Sequence, residues 1–227
     1  MRQDGSLLIG SPEAIDRLAG QDEATILAIS DSHGASRTVV SILRSWGEQS
    51  DALVFCGDGA GDICHCLSEA ADDEGLSRCL PPVIALVQGN NDAGRYHIRN
   101  SASAEAHPSF TDVAVPLTQT LTAAGHALFI THGHRFSLYN GTGYLAQEAM
   151  SVGAQAVLYG HTHIAMAECS FGIFTFNPGS CACPRGGLPP SFMTLTLKKG
   201  SAFFDNTFYR ISGSQAVPFN PNPMRYY

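Results

Sequence analysis

The stretch Thr25-Ile-Leu-Ala-Ile-Ser-Asp-Ser-His-Gly34 sets the organisation of the chain. Its first five residues are aliphatic or β-branched and predict a short buried strand, and the polar residues from Ser30 onward predict a loop at the end of that strand. Apolar residues then recur at helical spacing: Val39, Val40, Leu43 and Trp46. The stretch therefore predicts a unit of strand, polar loop and helix.

Two further strands follow the same plan. Residues 52–55 predict a strand that ends on Cys56-Gly-Asp-Gly59 and is followed by a helix through Ile63 and Leu67. Residues 83–87 predict a strand that leads into Gln88-Gly-Asn-Asn-Asp92. In layered proteins with parallel strands, ligand sites lie at the carboxyl ends of the strands. The three polar loops are therefore expected to meet.

The segments around these units give different signals. Residues 7–9 predict a short strand, and Ser11-Pro12 predicts a helix start with a serine cap and proline in the first turn. Residues 94–116 have weak periodicity and predict an irregular excursion with at most one short helix. Residues 117–121 and 126–130 flank a glycine-containing turn and predict a β-hairpin.

The remainder of the chain is mostly β. The hairpin leads into Thr131-His-Gly-His134, after which residues 144–152 predict a helix and residues 156–158 a strand. Four more strands are predicted, at 166–169, 173–176, 192–197 and 202–209. Residues 211–227, rich in proline and asparagine, predict a surface tail. Without a repeat or linker to divide it, the chain is expected to form one α/β domain over residues 1–227, with sheets that pack on each other.

Composition limits the function. The chain has 227 residues, of which 44% are hydrophobic and 15% charged, as in a well-packed globular enzyme. Its formal net charge is −7, so no basic field would attract nucleic acid, and binding of nucleic acid is not expected. An anionic substrate would need a local positive centre, such as bound metal.

Targeting signals and cysteine spacing indicate the compartment. The first ten residues lack the pattern of a secretory signal, and the longest apolar runs are too short to cross a bilayer. Seven cysteines at irregular spacing favour reduced thiols and a cytoplasmic protein. Cys64-His-Cys66 and Cys181-Ala-Cys183 are not predicted to bind zinc, because structural zinc pairs usually leave two to four residues between ligands.

The stretch Leu158-Tyr-Gly-His-Thr-His-Ile164 has the densest metal-binding chemistry. In an extended backbone, residues two apart project to the same side, so His161 and His163 are expected to converge on one ion or on a close pair of ions. By itself such a pair is weak evidence, because most histidines are not ligands.

Five loops together offer seven candidate metal ligands, each after a predicted strand: Asp31, His33, Asp58, Asn90, His132, His161 and His163. The set combines oxygen and nitrogen donors without sulfur. Seven side chains exceed the needs of one tetrahedral zinc ion but suit two ions that share a carboxylate. Asp58 is the expected bridge, because it is the single carboxylate at the tip of its loop.

The order of these motifs resembles that of the calcineurin-like metallophosphoesterases. The motifs are Asp-Ser-His-Gly at 31–34, Gly-Asp at 57–58, Gly-Asn-Asn-Asp at 89–92, Thr-His-Gly-His at 131–134 and Gly-His-Thr-His at 160–163. Asn177-Pro-Gly-Ser180 with Pro184-Arg185 further resembles the small bacterial and archaeal phosphodiesterase branch. The motifs span roughly the first three quarters of the chain.

This resemblance implies both a fold and a ligand assignment. The fold would be two packed mixed β-sheets flanked by helices, a four-layer sandwich. One metal would be held by Asp31, His33, Asp58 and His163, and the other by Asp58, Asn90, His132 and His161. Two divalent ions at such a site would bind a phosphate ester and hold a bridging hydroxide, which is expected to attack phosphorus directly.

The chain departs from the pattern at Asn91, where many members of the superfamily have histidine. A carboxamide can donate a hydrogen bond but cannot act as a general acid near neutral pH, which favours esters with good leaving groups, such as aryl esters. His134 is a candidate for supplying a proton, with a supporting or surface role as its alternative. Arg95 and Arg185 are candidates for binding phosphate oxygens, and the alternative for both is a solvated or ion-paired loop residue.

The predicted function is a dinuclear metal-dependent phosphodiesterase for a small phosphodiester, with no membrane partner. Manganese is the favoured metal, and iron, cobalt, nickel or zinc would also suit these ligands. The alternatives are a phosphomonoesterase or nuclease of the same superfamily, or a non-catalytic protein-binding scaffold like the retromer subunit of this fold. The sequence leaves the oligomeric state open, a homo-oligomer included.

Overall fold

The larger of the two main sheets contains seven strands. The computed structural model describes residues 3–100, 109–213 and 215–221. The strands of this sheet are β1 (Ile9–Gly10), β2 (Glu23–Ile29), β3 (Ala52–Phe55), β4 (Val83–Leu86), β12 (Ser191–Lys198), β13 (Asp205–Ser212) and β14 (Gln215–Phe219). Their order is β1-β4-β3-β2-β12-β13-β14. The central strands β2, β3 and β4 are parallel, as the repeated strand-loop units predict.

The second main sheet contains five strands. They are β7 (Thr118–Ala123), β8 (His126–Thr131), β9 (Ala156–Leu158), β10 (Met166–Ser170) and β11 (Ile173–Asn177). Strands β7 and β8 form the predicted hairpin, while β8, β9 and β11 run parallel to one another. Both sheets are therefore mixed, and each has parallel strands whose carboxyl ends carry the ligand loops.

Five α-helices accompany the sheets. They are α1 (Pro12–Gly20), α2 (Ser36–Trp46), α3 (Ala60–Ala70), α4 (Glu74–Arg78) and α5 (Gly143–Ser151). Helix α1 begins as predicted, since the side chain of Ser11 accepts a hydrogen bond from the amide of Ala14. In the described ranges, none of the helices is long and apolar enough to span a membrane.

Side-chain alternation along β2 explains the four layers. Ile26 and Ala28 lie in the core between the two sheets, whereas Leu27 and Ile29 lie in the core between the larger sheet and α2 and α3. A third core joins the outer face of the second sheet to α5. The expected sandwich of two mixed β-sheets flanked by helices is confirmed. Burial of one large aliphatic side chain contributes about 1.5–3 kcal/mol, so these cores hold the ligand loops on a rigid frame.

The segment predicted to be an irregular excursion contains a two-stranded antiparallel sheet. Its strands are β5 (Arg95–Arg99) and β6 (Phe110–Ala114). The prediction was wrong because the apolar signal is short: only Tyr96 and Ile98 of β5 pack toward α3, and His97 between them is exposed. Residues 101–108 lie outside the described residues.

Other boundaries also differ from prediction. Part of the predicted surface tail forms β14, which pairs with β13 at the edge of the larger sheet. Proline is tolerated in an edge strand, and Pro218 lies within β14. The short helix α4 was not predicted. All seven cysteines are free thiols in this structure.

Candidate metal centre

Backbone hydrogen bonds bring the ligand loops together at the carboxyl ends of β2, β3, β4, β8 and β9. The amide of Asp31 donates to the carbonyl of Gly57 at 2.9 Å, and that of His33 to the carbonyl of Asp58 at 3.1 Å. At the second sheet, the amide of Gly160 donates to the carbonyl of His132 at 3.1 Å, and the amide of His161 donates across the two sheets to Oδ2 of Asp31 at 3.1 Å. The loops therefore form one connected surface.

Four of the predicted ligands form a compact group. One donor atom from each of Asp31, His33, Asp58 and His163 lies within 4.8 Å of the others. Nε2 of His163 lies 3.1 Å from Oδ1 of Asp31, and Nε2 of His33 lies 3.8 Å from Oδ2 of Asp58. This is the set that the resemblance implied for one of the two metals.

One oxygen in this group lacks a hydrogen-bond partner. Oδ1 of Asp31 is buried and accepts no hydrogen bond from any described residue, although Nε2 of His163 is 3.1 Å away. A buried carboxylate oxygen without a partner is costly unless a cation neutralises it. The oxygen and nitrogen donors and this unpartnered atom fit a divalent cation.

The remaining predicted ligands lie on the other side of Asp58. Nε2 of His132 is 3.2 Å from Oδ1 of Asn90 and 3.5 Å from Oδ2 of Asp58. The rings of His132 and His161 have centroids 5.1 Å apart. Oδ2 of Asp58 lies 3.5 Å from Nε2 of His132 and 3.8 Å from Nε2 of His33, so this carboxylate faces a histidine of each group.

Two of the imidazoles are oriented by backbone carbonyls. Nδ1 of His132 lies 2.7 Å from the carbonyl oxygen of Cys56, and Nδ1 of His163 lies 2.5 Å from that of Cys183. Because a carbonyl only accepts, each Nδ1 donates its proton there. In the neutral ring this leaves the Nε2 lone pair facing the site, the usual arrangement of a metal-binding histidine.

The two carboxylates are held by short hydrogen bonds. The hydroxyl of Ser30 donates to Oδ2 of Asp31 at 2.5 Å. Asn91 donates to Asp58 twice, from its amide to Oδ1 at 2.8 Å and from Nδ2 to Oδ2 at 2.6 Å. Burial raises the pKa of Asp58, but hydrogen bonds from His132 and Asn91 outweigh it and hold the pKa below its usual value.

The surroundings of three histidines shift their pKa values in different directions. The carboxylate of Asp31, whose Oδ1 lies 3.1 Å from Nε2 of His163, raises the pKa of that histidine. Burial lowers the pKa of His161, and the neighbouring His132 lowers it further. Burial also lowers the pKa of His134, and the charges of His132 and Arg135 add to that effect.

The carboxylate of Asp92 links two of the ligand loops. It accepts hydrogen bonds from the amides of Asp58, Gly59 and Ala60 in one loop and of Gly89 in the other, at 2.7–2.9 Å. The position of Asp92 in the Gly-Asn-Asn-Asp motif was the only sequence signal for this supporting role.

The Asn-Pro-Gly-Ser turn supports the other loops. Nδ2 of Asn177 donates to the carbonyl of Gly160 at 2.8 Å and to the hydroxyl of Thr162 at 3.0 Å. The hydroxyl of Ser180 donates to the carbonyl of Asp31 at 2.6 Å. This turn, which follows β11, therefore links the Asp31 loop to the histidine loop.

Several ligand residues adopt a backbone conformation that non-glycine residues rarely occupy. Within the described ranges, eight non-glycine residues have positive φ, and five are predicted ligands: Asp31, His33, Asp58, His161 and His163, with φ between 45° and 68°. Such residues cost free energy and cluster at functional sites. The expectation of an extended backbone at His161 and His163 was therefore wrong, although both side chains reach the site.

The remaining predicted site residues are Arg185, Arg95 and His134, and their contacts with the ligand residues differ. The amide of Arg185 donates to the carbonyl of His163 at 3.0 Å, and its guanidinium charge partly opposes the rise in the pKa of His163 that Asp31 causes. Arg95 is exposed on β5, with its guanidinium 3.5 Å from Asp112. The centroid of the His134 ring lies 5.5 Å from that of His132, and Nδ1 of His134 is buried without a hydrogen-bond partner among the described residues.

Comparison with known proteins agrees with this geometry. Residues 25–200 match the calcineurin-like phosphoesterase superfamily domain. The chain belongs to the calcineurin-like phosphoesterase superfamily. Among its relatives there, the probable metallophosphoesterase YsnB of Bacillus subtilis is 29% identical over 194 residues, which cover 84% of this chain and 96% of that protein.

Two further likenesses are more limited. Phosphodiesterase YfcE of Escherichia coli (strain K12) is 42% identical over 68 residues, which cover 30% of this chain and 33% of that protein. The structure of vacuolar protein sorting 29 from Cryptosporidium parvum superposes with a TM-score of 0.60 at 16% identity, over 88% of this chain and 97% of that one. At that identity, the second likeness shows the fold alone. Superfamily and relatives together support a phosphoesterase that uses divalent metal.

Proposed function

We propose that the protein is a phosphodiesterase that depends on two divalent metal ions and hydrolyses a small phosphodiester. The observation that carries the proposal is the position of Asp58. Its carboxylate lies between the group of Asp31, His33 and His163 and the group formed by Asn90, His132 and His161. Two ions bound there would supply positive charge for the phosphate and a nucleophile derived from water.

The residues of the chain have separate tasks in this proposal. Asp31 and Asp58 contribute only two carboxylates, so a doubly loaded site stays positive inside an acidic protein. Asn91 holds Asp58 through two hydrogen bonds and cannot protonate a leaving group near neutral pH. We assign proton delivery to His134 and contacts with the phosphate oxygens to Arg185. Arg95 is a second candidate for those contacts only if it leaves Asp112.

The reaction is a single in-line displacement in this proposal. The side chains of Ser30 and Ser32 are fully buried and donate to Asp31 and Asp62, both at 2.5 Å, which supports water rather than either serine as the source of the nucleophile. Inversion of configuration at phosphorus is the expected result with a chiral phosphorothioate diester. Retention would contradict a single displacement.

Activity assays test the proposal directly. The purified protein should hydrolyse bis(p-nitrophenyl) phosphate when manganese is present and lose that activity with a chelator. Asp58→Ala should abolish turnover, whereas Asp205→Ala, an exposed aspartate at the start of β13, should retain it. A protein-binding scaffold would show no metal-dependent turnover at all. Faster cleavage of p-nitrophenyl phosphate would favour the phosphomonoesterase, and faster cleavage of DNA the nuclease.

Metal identity and compartment belong to the same proposal. Manganese is favoured, and iron, cobalt, nickel and zinc also accept this donor set, so selection would depend on supply. Elemental analysis of protein purified from the native host would show which ion is bound. The seven free thiols support a cytoplasmic location.

A further inference from the structure

A groove that the proposed mechanism leaves unused begins next to His134 in the chain. Its volume is about 330 Å³, and it is lined by Arg135, Phe136, Ser137, Tyr144, Gln147 and Glu148. The first three residues directly follow the Thr-His-Gly-His motif, and the charge of Arg135 acts on His134. The groove therefore adjoins the candidate metal centre.

Two rigid pieces of structure shape this groove. On one side, the amide of Phe136 donates to the carbonyl of Gly133 at 2.9 Å, and the Phe136 ring lies 6.3 Å from that of Phe129. On the other side, Tyr144, Gln147 and Glu148 are three and four residues apart in α5, so they share one face of that helix. Its walls are thus fixed by a packed turn and a helix.

The polar side chains of the groove have no partner of their own. Within the described ranges, the side chains of Arg135, Tyr144, Gln147 and Glu148 make no hydrogen bond and no ion pair. Other arginines of the protein are paired: Arg95 with Asp112, Arg99 with Asp72 and Arg44 with Asp73. A cation, an amide, a carboxylate and an exposed phenol therefore all remain available to a ligand.

This combination suits a flat ring with polar edges. Tyrosine and arginine offer planar surfaces on which an aromatic ring can stack. Glutamine and glutamate offer donors and acceptors that can read the edge of such a ring. A volume of about 330 Å³ accommodates one ring system, and the net negative charge of the protein disfavours a nucleic acid polymer.

We infer that this groove binds the non-leaving substituent of the phosphodiester, and that the substituent carries a nucleobase or a similar hydrogen-bonding heteroaromatic ring. The inference rests on the proposed function, since it names the substrate class of the same site. Tyr144 and Arg135 stack on the ring. Gln147 and Glu148 form hydrogen bonds with the polar atoms at its edge and so determine which rings bind.

Two substrates with the same leaving group test the inference. Methyl p-nitrophenyl phosphate and thymidine 5′-(p-nitrophenyl phosphate) both release p-nitrophenol and differ only in the retained substituent. The wild-type protein should prefer the thymidine ester by about tenfold or more in kcat/KM, the contribution of one stacked base. Tyr144→Ala and Gln147→Ala should each reduce that preference several-fold.

A matched control lies in the same region. Tyr139 is fully exposed and does not line the groove, so Tyr139→Ala should keep the preference of the wild-type protein. A wild-type protein that cleaves both esters equally well, or variants that lower both rates by the same factor, would overturn the inference and leave the proposed function standing. Failure to cleave either ester, together with bis(p-nitrophenyl) phosphate, would instead overturn the proposed function.

Discussion

The Nε2 atoms of His33 and His163 lie 3.1 Å apart, although the two residues are separated by 130 positions in the chain. Both also lie near Oδ1 of Asp31, at 3.9 and 3.1 Å. Because Nδ1 of His163 donates to the carbonyl of Cys183, the second nitrogen of that ring is directed at this point. A metal site requires ring nitrogens to converge on a buried carboxylate in this way. The packing of a protein core does not require it.

The two histidines of the Gly-His-Thr-His motif are expected to serve different ions. His163 lies with Asp31, whereas the His161 ring lies beside His132. His163→Ala should therefore remove the first ion and His161→Ala the second, each with retention of the other. Metal content measured per protein molecule, with identification of the remaining ion by spectroscopy of a cobalt-loaded sample, distinguishes the two. His97→Ala, on exposed β5, is the control and should keep both ions. Loss of the same ion in both variants would contradict the assignment.

Asn91→His should raise the turnover of alkyl phosphodiesters relative to aryl ones. A histidine can protonate a poor leaving group, which the carboxamide cannot. The substitution also replaces the Nδ2 donor to Asp58, so the rate with aryl esters is expected to fall. The ratio of kcat/KM for an alkyl and an aryl ester of the same phosphate is the measurement. An unchanged ratio would mean that leaving-group protonation does not depend on this position.

Asp92→Asn should destabilise the protein and weaken metal binding together. The carboxylate accepts hydrogen bonds from four backbone amides, and an asparagine would place an NH₂ group against some of these donors. The expected loss in the free energy of unfolding is about 2–4 kcal/mol, because hydrogen bonds to charged groups contribute roughly 1.5–3 kcal/mol each and are not additive. Urea unfolding measures the loss.

The exposed Asp112 provides the control for that experiment. It pairs with His97 and Arg95 at the surface, where such pairs contribute about 0–1 kcal/mol, so Asp112→Asn should have little effect. An equal loss of stability in both variants would contradict the claim that the hydrogen bonds of Asp92 stabilise the protein more than the surface ion pairs of Asp112.

Gly89→Ala should disturb the shared carboxylate. A Cβ atom at this position would lie 2.1 Å from Oδ1 of Asp58 and 2.4 Å from its amide nitrogen. Relief of such a clash typically costs about 1–3 kcal/mol and would displace Asp58. Gly20→Ala, at the end of α1 with no atom nearby, is the matched control. Thermal unfolding and metal content should change in the first variant only; full metal occupancy in Gly89→Ala would be inconsistent with a bridging role for Asp58.

Much of the fold was predictable from local patterns. The buried runs that became β2, β3 and β4 are short, apolar and bounded by glycine-containing loops, and each was placed within two residues of its observed bounds. The sheet formed by β5 and β6 was missed because its apolar side consists of few residues, Tyr96 and Ile98 of β5 and Val113 of β6. Edge strand β14 was missed because pairing with β13, rather than its own composition, makes it a strand.

The ligand types were predictable and the ligand conformation was not. Oxygen and nitrogen donors after each strand indicated where metal would bind, but nothing in a dipeptide such as Ser30-Asp31 indicates a left-handed backbone. That conformation is imposed by contacts between distant loops, such as the hydrogen bond from Ser180 to the carbonyl of Asp31. Arg135 had no sequence signal beyond its position after His134.

Anomalous diffraction from manganese-loaded crystals tests the dinuclear centre most directly. Two anomalous peaks are predicted, one ligated by Asp31, His33, Asp58 and His163 and the other by Asp58, Asn90, His132 and His161, with the carboxylate of Asp58 in contact with both. A single peak at full manganese occupancy, or two peaks that do not share Asp58, would contradict it.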